Sequence, residues 1–341
     1  MGACRVGIAG FGRIGAEHAI WISRSSEITA TAAFDVTPAR RDLARKAGLA
    51  IHETFVSLIS DPAIDAVLIA TPTSLHHEQA MKALRAGKHV MVEKPMAMNL
   101  AQAKEMVETA RSAGRVLSVF HNRRWDADYL TVCAAIASGI FGRIFNIESR
   151  LGQWASCVGP AAKEFRPNWR NEAAFGGGGL LDWGSHILDQ LSQLMLPTKP
   201  TRLFAQLRGN VWTRDTDDFA RIAIDFDNGA AGLVEINTTT TQPLPRWHID
   251  AANGSAQSPF SLDFDTQKWA ELDFHPPGGT ARRLPPAAPG LTETDIWQQF
   301  AEAITGTSEP AVTPESVLPT MALLDATRES SRRGIGVELN V

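Results

Sequence analysis

The sequence predicts an α/β domain built on a parallel sheet, followed by an α+β domain with a large, mostly antiparallel, open-faced sheet. Up to about residue 120, short β-branched runs alternate with helical patterns, whereas from about residue 142 strand patterns follow one another with few helices between them. A chain of 341 residues also exceeds the size at which one hydrophobic core usually keeps growing. We therefore expect a first domain over residues 1–122 and a second over residues 123–313, with a helix over residues 314–333 packing back on the first.

The predicted strands of the first half are nearly continuous apolar runs, which is typical of a parallel sheet that helices cover on both faces. Among the helical patterns between them, Arg13–Ser23 and Ala101–Arg111 are the longest. The predicted strands are Arg5–Ala9, Ile28–Phe34, Ala66–Ile69, His89–Val92 and Val116–Phe120.

In the second half, Asn228 and Gly229 predict a hairpin turn between two strands. A long helix is predicted to begin near Leu180, after a run of four glycines, and to end near Met195. The predicted strands are Ile144–Arg150, Arg202–Leu207, Phe219–Phe226, Ala231–Thr238 and Arg246–Ala252. After them we predict a loop over Pro276–Pro289 and helices over Asp295–Ile304 and Pro314–Arg332.

The composition argues against several classes of partner. With 44% hydrophobic residues, 21% charged residues and a formal net charge of -4, the chain has no basic excess that would attract a nucleic acid. No apolar run approaches the length of about 18 residues that a membrane span needs, and the first strand begins too early to leave room for a secretory signal. Cys4, Cys133 and Cys157 show no CxxC spacing or histidine cluster, so we expect neither a disulfide framework nor a metal site. A cytoplasmic protein is expected.

A glycine motif connects the first predicted strand to the first helix. Gly10 permits a tight turn, Gly12 lets the backbone approach a pyrophosphate, and Gly15 allows close contact between helix and strand. The helix N-terminus then offers free N–H groups and the positive end of its dipole to the phosphates. Because the motif follows a strand and opens a helix, it predicts a Rossmann dinucleotide-binding domain rather than merely a tight turn. The residues of this site are Gly10, Phe11, Gly12, Arg13, Ile14 and Gly15.

Asp35 ends the second predicted strand, twenty positions after Gly15. An acidic side chain at this place accepts hydrogen bonds from the adenosine ribose hydroxyls and repels a 2′-phosphate, so it favours NAD. Arg40 and Arg41 follow closely and could instead bind such a phosphate, although a solvated helix face is the simpler interpretation. We expect NAD as the cofactor and keep NADP as the alternative.

Several further motifs share their order and spacing with a known family. Glu93-Lys94-Pro95 ends the fourth predicted strand, and Lys94 taken alone would be an ordinary surface charge. The other motifs are Ala70-Thr71-Pro72-Thr73 with His76, His121-Asn122-Arg123-Arg124-Trp125, and the run from Gly176 through Asp182 and His186 to Asp189. Together with the glycine motif they resemble the glucose-fructose oxidoreductase and inositol dehydrogenase family (Gfo/Idh/MocA) over nearly the whole chain. The resemblance implies an NAD(P)-dependent dehydrogenase that acts on a CH–OH group.

The resemblance also implies a catalytic group of Lys94, Asp182 and His186. Asp182 and His186 are four residues apart and so share one helix face. Asp189 lies on the same face, where its role is either structural or part of the site. His186 would take the hydroxyl proton, Lys94 would hydrogen-bond the same oxygen, and Asp182 would bind another hydroxyl or orient the group. Without the resemblance, His186 would be an ordinary helix histidine and Asp182 a helix-start carboxylate.

The same resemblance implies which residues surround the nicotinamide half of the cofactor. They are Thr71, Pro72, Thr73 and His76 along it, with Glu93, Lys94 and Arg124 at its border. A cis Lys94–Pro95 bond is typical of similar proteins. His18, His52 and His77 have no such support and are interpreted as surface or packing residues. The sequence departs from the commonest family pattern at Thr73, which is often Asn, and at Trp183. Because Trp183 borders the substrate region, it leaves the identity of the substrate open.

The segment Phe165 to Arg170 offers Arg and Asn donors and a Trp face, which suit a sugar or polyol. With Asp217-Asp218-Phe219, it resembles the subgroup that acts on inositols and related polyols. The predicted reaction is NAD-linked oxidation of a secondary alcohol of a cyclic polyol or sugar. An NAD-retaining glycoside hydrolase and a catalytically silent NAD-binding sensor are the alternatives, and a homodimer or homotetramer would cover the open sheet. The predicted substrate contacts are Lys94, Arg124, Trp169, Arg170, Asp182 and His186.

Overall fold

In the computed structural model of the chain, the structure describes residues 3–157, 169–259 and 270–339. Apolar strands in the N-terminal part form the predicted parallel sheet. They are β1 (Cys4–Ala9), β2 (Ile28–Phe34), β3 (Ala50–Ile51), β4 (Ala66–Ile69), β5 (His89–Val92) and β6 (Leu117–Val119). Within the described residues, six strands lie in the order β3-β2-β1-β4-β5-β6, all parallel. The predicted α/β class is confirmed.

Helices connect these strands, and local capping explains where the longest of them begins and ends. The Asn99 side chain accepts a hydrogen bond of 2.9 Å from the Gln102 N–H, and Gly114 ends the same helix in the left-handed region at a φ of 60°. The helices are α1 (Arg13–Ile22), α2 (Pro38–Lys46), α3 (Phe55–Ser60), α4 (His76–Arg85) and α5 (Leu100–Ala113).

The remaining strands form the second, mostly antiparallel sheet. They are β7 (Ile144–Gly152), β8 (Pro200–Arg208), β9 (Phe219–Phe226), β10 (Ala231–Asn237), β11 (Trp247–Ala251), β12 (Gly254–Gln257), β13 (Leu272–His275), β14 (Arg282–Leu284) and β15 (Val337–Glu338). In the described chain their order is β14-β13-β12-β11-β7-β10-β9-β8-β15, and only β7 and β10 pair in parallel. The predicted α+β class of this half is confirmed.

Two loop predictions for this sheet have different outcomes. The hairpin at Asn228 and Gly229 is confirmed, since β9 and β10 pair antiparallel across it and Gly229 has a φ of 80°. The loop predicted over Pro276–Pro289 is wrong at Arg282–Leu284, which pairs with β13 as an edge strand. An edge strand this short contains too few residues to show an alternating pattern.

One face of the second sheet is covered and the other is open. Along β9, residues Ala220, Ile222, Ile224 and Phe226 are buried while the residues between them are not. The helices of this half are α6 (Ala127–Ala137), α7 (Ser185–Leu194), α8 (Glu293–Thr305) and α9 (Leu318–Arg333). On β8, Phe204 is 42% exposed. That a second subunit covers the open face stays a prediction.

The packing of the last two helices does not follow the predicted domain boundaries closely. Helix α8 lies within the range predicted for the second domain, yet Trp297 and Phe300 are buried in one core with Val6 and Ile8 of β1. Helix α9 contacts α5 of the first half and β8 of the second sheet. Its Asp325 accepts a hydrogen bond of 2.9 Å from the first N–H of α5, and its Ser330 accepts one of 2.9 Å from Ala205 on β8.

Three findings concern the expectations from composition. Cys4, Cys133 and Cys157 are all free thiols. Among the helices of the described residues, none combines the length and apolarity that crossing a bilayer requires. In the same part of the chain, no three or more His, Cys, Asp or Glu side chains group together in a way that could hold a metal ion.

Candidate active site

The glycine motif forms a turn that tolerates no side chain at two positions. Gly10 has a φ of 92°, and a Cβ there would lie 2.6 Å from the Ala70 carbonyl oxygen. A Cβ on Gly15 would lie 2.1 Å from the Gly10 carbonyl oxygen. A Cβ on Gly12 would make only an ordinary contact, at 3.6 Å from Arg40 Nη1. Because no side chain in the described chain caps α1 at Gly12, the first N–H groups of the helix are available to a pyrophosphate.

The other residues of the motif link the turn to Asp35. Phe11 is buried, and its N–H donates to Asp35 Oδ2 at 2.8 Å, while the Thr37 N–H donates to Asp35 Oδ1 at 2.8 Å. The carboxylate is therefore held beside the turn, where a ribose would lie. The Arg13 side chain is mostly exposed, and Ile14 is half-buried. The turn and Asp35 together fit the adenosine and pyrophosphate parts of a dinucleotide.

Arg40 and Arg41 occupy different places around this turn. Arg41 Nη1 donates to the Asp35 carbonyl oxygen at 2.9 Å, so its guanidinium stabilises the end of β2. Arg40 lies beside Gly12 and brings positive charge to the pyrophosphate position. Arg41 therefore contacts the Asp35 backbone, whereas Arg40 lies beside the glycine turn.

The residues predicted along the nicotinamide half lie on two neighbouring loops that follow β4 and β5. Buried His76 joins these loops, since its Nε2 and Nδ1 lie 2.9 Å from the carbonyl oxygens of Thr71 and Pro95 respectively. Burial lowers the pKa of His76, against the two carbonyl oxygens, which act to raise it. Pro72 precedes the turn that carries buried Thr73. The expected cis Lys94–Pro95 bond is confirmed. The contribution of His76 to a cofactor site is thus through the loops that it connects.

Glu93 is held by a residue that sequence reasoning assigned only to packing. Its Oε1 lies 2.8 Å from His18 Nε2, and His18 Nδ1 accepts a hydrogen bond of 3.0 Å from the Trp297 indole N–H. Since an indole N–H can only donate, the His18 proton is on Nε2 and points at Glu93. Burial acts to raise the pKa of Glu93, but the hydrogen bond from His18 and the charge of Lys94 outweigh it, so the pKa is lowered. Only the fold could have revealed this chain of contacts.

Lys94, Asp182 and Arg170 form a compact charged group. Lys94 Nζ donates to Asp182 Oδ1 at 3.0 Å and to the Asp182 carbonyl oxygen at 2.9 Å. Arg170 Nη1 donates to the same Oδ1 at 2.6 Å, and its guanidinium lies 4.5 Å from the Trp169 ring centroid. Burial acts to raise the pKa of Asp182, but the two cations outweigh it and lower that pKa. Asp182 is therefore an ionised carboxylate that orients the cations, and not a proton acceptor.

The glycine run brings the Arg170 segment against the start of the next helix. A Cβ on Gly177 would lie 2.5 Å from the Arg170 carbonyl oxygen, and one on Gly178 would lie 2.5 Å from Asp217 Oδ1. Asp217 Oδ2 accepts the Leu180 N–H at 2.7 Å, so this carboxyl caps the helical segment. Burial raises the pKa of Asp217 to about 7. Phe165 to Asn168, the rest of the segment predicted to bind sugar, lie outside the described residues.

The helix predicted from Leu180 begins as a π-helical turn over Leu180–Gly184, and α7 follows from Ser185. The wider turn still delivers Asp182 to Lys94 and leaves His186 buried at the start of α7. Burial and the charges of Lys94 and Arg123 hold the pKa of His186 well below its usual range. His186 is therefore neutral at physiological pH and has one lone pair with which to accept a proton.

Two adjacent arginines lie in different surroundings, and only one is close to His186. Arg124 donates through Nε and Nη2 to Asp189 at 2.7 and 2.8 Å, and through Nη1 to Ser316 Oγ at 3.0 Å. The structure thus ties the predicted ligand Arg124 to α7 instead of to the Lys94 group. Arg123, which was not singled out from the sequence, lies 5.0 Å from the Trp183 ring centroid and lowers the pKa of His186. Its charge therefore acts on His186, which the spacing of the motif did not indicate.

Comparison with known proteins identifies both halves of the chain. The sequence model described as the GFO_IDH_MocA oxidoreductase family with an NAD-binding Rossmann fold matches residues 4–121, and that of the GFO/IDH/MocA C-terminal domain matches residues 129–257. An NAD-binding protein from Listeria innocua superposes with a TM-score of 0.87 at 30% identity, covering 98% of this chain and 96% of that one.

Two relatives of named activity are also similar. 1,5-Anhydro-D-fructose reductase from Ensifer adhaerens is 30% identical over 291 residues, which are 83% of this chain and 82% of that protein. The NADP-dependent scyllo-inositol 2-dehydrogenase IolW from Bacillus subtilis is 32% identical over 176 residues, 52% of this chain and 46% of that protein. The chain spans just under half the length of the first curated relatives that it matches. With both domain models matched, the chain belongs to the Gfo/Idh/MocA family of NAD-binding oxidoreductases.

Proposed function

We propose that this protein is an NAD-dependent dehydrogenase that interconverts a secondary alcohol of a cyclic polyol or sugar and the corresponding ketone. The observation that carries the proposal is the half-buried Lys94–Asp182–Arg170 group near the neutral base His186. The 1,5-anhydrofructose reductase and scyllo-inositol dehydrogenase activities of two relatives support a cyclic, polyhydroxylated substrate.

In the proposed reaction, His186 accepts the proton of the reacting hydroxyl. Lys94 uses two of its three N–H groups on Asp182, which leaves one for the oxygen that develops negative charge. Asp182 holds the ammonium and the Arg170 guanidinium in position, and Arg170 and Trp169 supply a donor and an aromatic face for the other hydroxyls and the ring. When bound by the glycine turn and Asp35, the nicotinamide cofactor supplies the hydride acceptor.

A substrate panel tests the proposal. We expect NAD reduction and formation of a ketone with at least one inositol isomer or pyranose, and none with short linear alcohols, because the donors around Lys94 can contact several hydroxyls of one substrate. The absence of turnover in either direction, with NAD and with NADP, contradicts the proposal. Cleavage of an aryl glycoside without net NADH formation contradicts it in favour of the hydrolase alternative.

The preference for NAD over NADP is expected to depend on Asp35. In the Asp35→Ser variant the carboxylate that accepts the ribose hydroxyls is lost, and Arg40 remains beside the turn. We expect kcat/KM for NAD to fall about tenfold, equivalent to about 1.4 kcal/mol. The ratio of kcat/KM with NADP to kcat/KM with NAD should rise by more than about tenfold. Steady-state kinetics with both cofactors measures this.

Asp42→Ser is the matched control, because Asp42 is an exposed residue of α2 that pairs only with the adjacent-turn Arg45 in the described chain. If the ratio of kcat/KM with NADP to kcat/KM with NAD is the same in the Asp35→Ser variant as in the wild type, the role given to Asp35 is contradicted. Circular dichroism of both variants checks that the end of β2 remains folded, since Asp35 also accepts two backbone N–H groups.

A further inference from the structure

A second histidine, His121, lies against the proposed base and has no evident structural purpose. It follows β6, is 1% exposed, and has no hydrogen-bond partner for either ring nitrogen among the described residues. His186 Nδ1 is likewise enclosed without a partner in that part of the chain. Buried polar atoms are nearly always paired, so three unpaired nitrogens in one place require an explanation.

The two rings face each other in a perpendicular arrangement. Their centroids are 5.7 Å apart and their planes are at 89°. A water can connect two ring nitrogens that do not bond directly, and hydrogen bonds of a catalytic group are often long before ligands bind. His121 is therefore close enough to act on His186.

Asp189 lies near His121 without a direct hydrogen bond to it. Its Oδ2 lies 3.8 Å from His121 Nδ1, while Arg124 and Thr320 hold the carboxylate in place at 2.7 to 3.1 Å. Burial lowers the pKa of His121 to about 4, so the ring is neutral and has one N–H and one lone pair. The carboxylate favours the proton on Nδ1, and the lone pair is then on Nε2.

A base made from a histidine needs the correct tautomer. His186 Nδ1 is enclosed without a hydrogen-bond partner among the described residues. If Nε2 accepts the substrate proton, the proton of the neutral ring must be on Nδ1, where it requires an acceptor. The described chain offers no direct acceptor there, and the His121 ring, with its centroid 5.7 Å from that of His186, can supply a lone pair through a water.

We propose that His121 is a positioning residue that, with Asp189 beside it, accepts the His186 Nδ1 proton through a bridging water and so keeps His186 Nε2 free as the base. The proposal rests on the proposed function for its kinetic consequence only. The tautomer itself is a property of the protein without substrate, so the two can fail separately.

Nitrogen-15 NMR of histidine-labelled protein tests the tautomer without any substrate. We expect His186 to have its proton on Nδ1 in the wild type, and to lose this preference in the His121→Phe variant, which keeps a ring of similar size in the core. His121→Gln, whose amide oxygen is an acceptor, should restore it. A wild-type His186 protonated on Nε2, or a His186 signal that is the same in the wild type and the Phe variant, would overturn the proposal.

Kinetics with the best substrate of the panel give the second readout. We expect kcat to fall about 30-fold in His121→Phe, with the KM for NAD and for the alcohol within about twofold of the wild type, and His121→Gln to recover most of the loss. His275→Phe, the same change at an exposed position of β13, is the control. Equal kcat values in the wild type and the Phe variant, or in the Phe and Gln variants, would overturn the role of His121.

Discussion

Replacing Lys94 with Ala is expected to lower kcat by about 10³-fold while the Kd for NAD stays within about threefold of the wild type. The ammonium is the group best placed to stabilise charge on the reacting oxygen, because it is held between the Asp182 carboxylate and its carbonyl oxygen. Its loss leaves Asp182 paired with Arg170 at 2.6 Å, so no buried carboxylate is left without a partner. The fold should therefore survive the change.

Turnover with the best polyol and the NAD affinity from fluorescence titration together measure this effect. Lys82→Ala is the matched control, because Lys82 is an exposed residue of α4 that contacts Glu78 in the preceding turn. Its kcat should equal that of the wild type. A Lys94→Ala variant that turns over within about tenfold of the wild type would remove Lys94 from the reaction.

Replacing Asp128 with Ala is expected to lower the free energy of unfolding by about 3 to 5 kcal/mol. Asp128 Oδ2 accepts hydrogen bonds of 3.2 Å from Arg246 Nε and 2.8 Å from the Trp247 indole N–H, and all three residues are buried. Without the carboxylate, the Arg246 charge stays in the core with only neutral acceptors such as Gln190 Oε1, at 2.8 Å. Removing one partner of a buried pair costs more than the pair contributes.

Urea unfolding followed by tryptophan fluorescence measures the loss. Asp128→Asn keeps an acceptor of the same shape and should lose less, which gives a result even if the Ala variant cannot be purified. The exposed pair of Asp42 and Arg45 provides the control, since Asp42→Ala should change stability by no more than about 0.5 kcal/mol. Equal stability losses at Asp128 and Asp42 would contradict the role given to the buried pair.

Much of the fold follows from local sequence patterns, which do not depend on contacts with distant parts of the chain. Continuous apolar runs predict β1, β2, β4 and β5, and the strand pattern over Phe219–Phe226 predicts β9. Shorter or edge elements were missed, because β3 and β14 are too brief to show a period and gain their hydrogen bonds from a neighbouring strand. The π-helical start at Leu180–Gly184 was also missed, since its capping carboxyl, Asp217, comes from a distant part of the chain.

The candidate site divides in the same way. Spacing and motif order pointed to Lys94, Asp182 and His186, and the contact of Lys94 with Asp182 is seen in the structure. Their chemical roles stay predictions. The sequence could not distinguish the surroundings of Arg123 from those of Arg124. The two arginines are adjacent in one short turn and differ only in the distant residues that they contact, Trp183 for Arg123 and Asp189 for Arg124.

By itself the sequence determined the order of the two domains, the glycine turn that fits a dinucleotide, and the family to which the chain belongs, because these depend on residues close together or on motifs in series. Only the tertiary structure decided that His18 and Trp297 hold Glu93, that α8 belongs to the first core, and that His121 faces His186. Such contacts join residues far apart in the chain. Their geometry exists only once both sheets and the helices on them have packed.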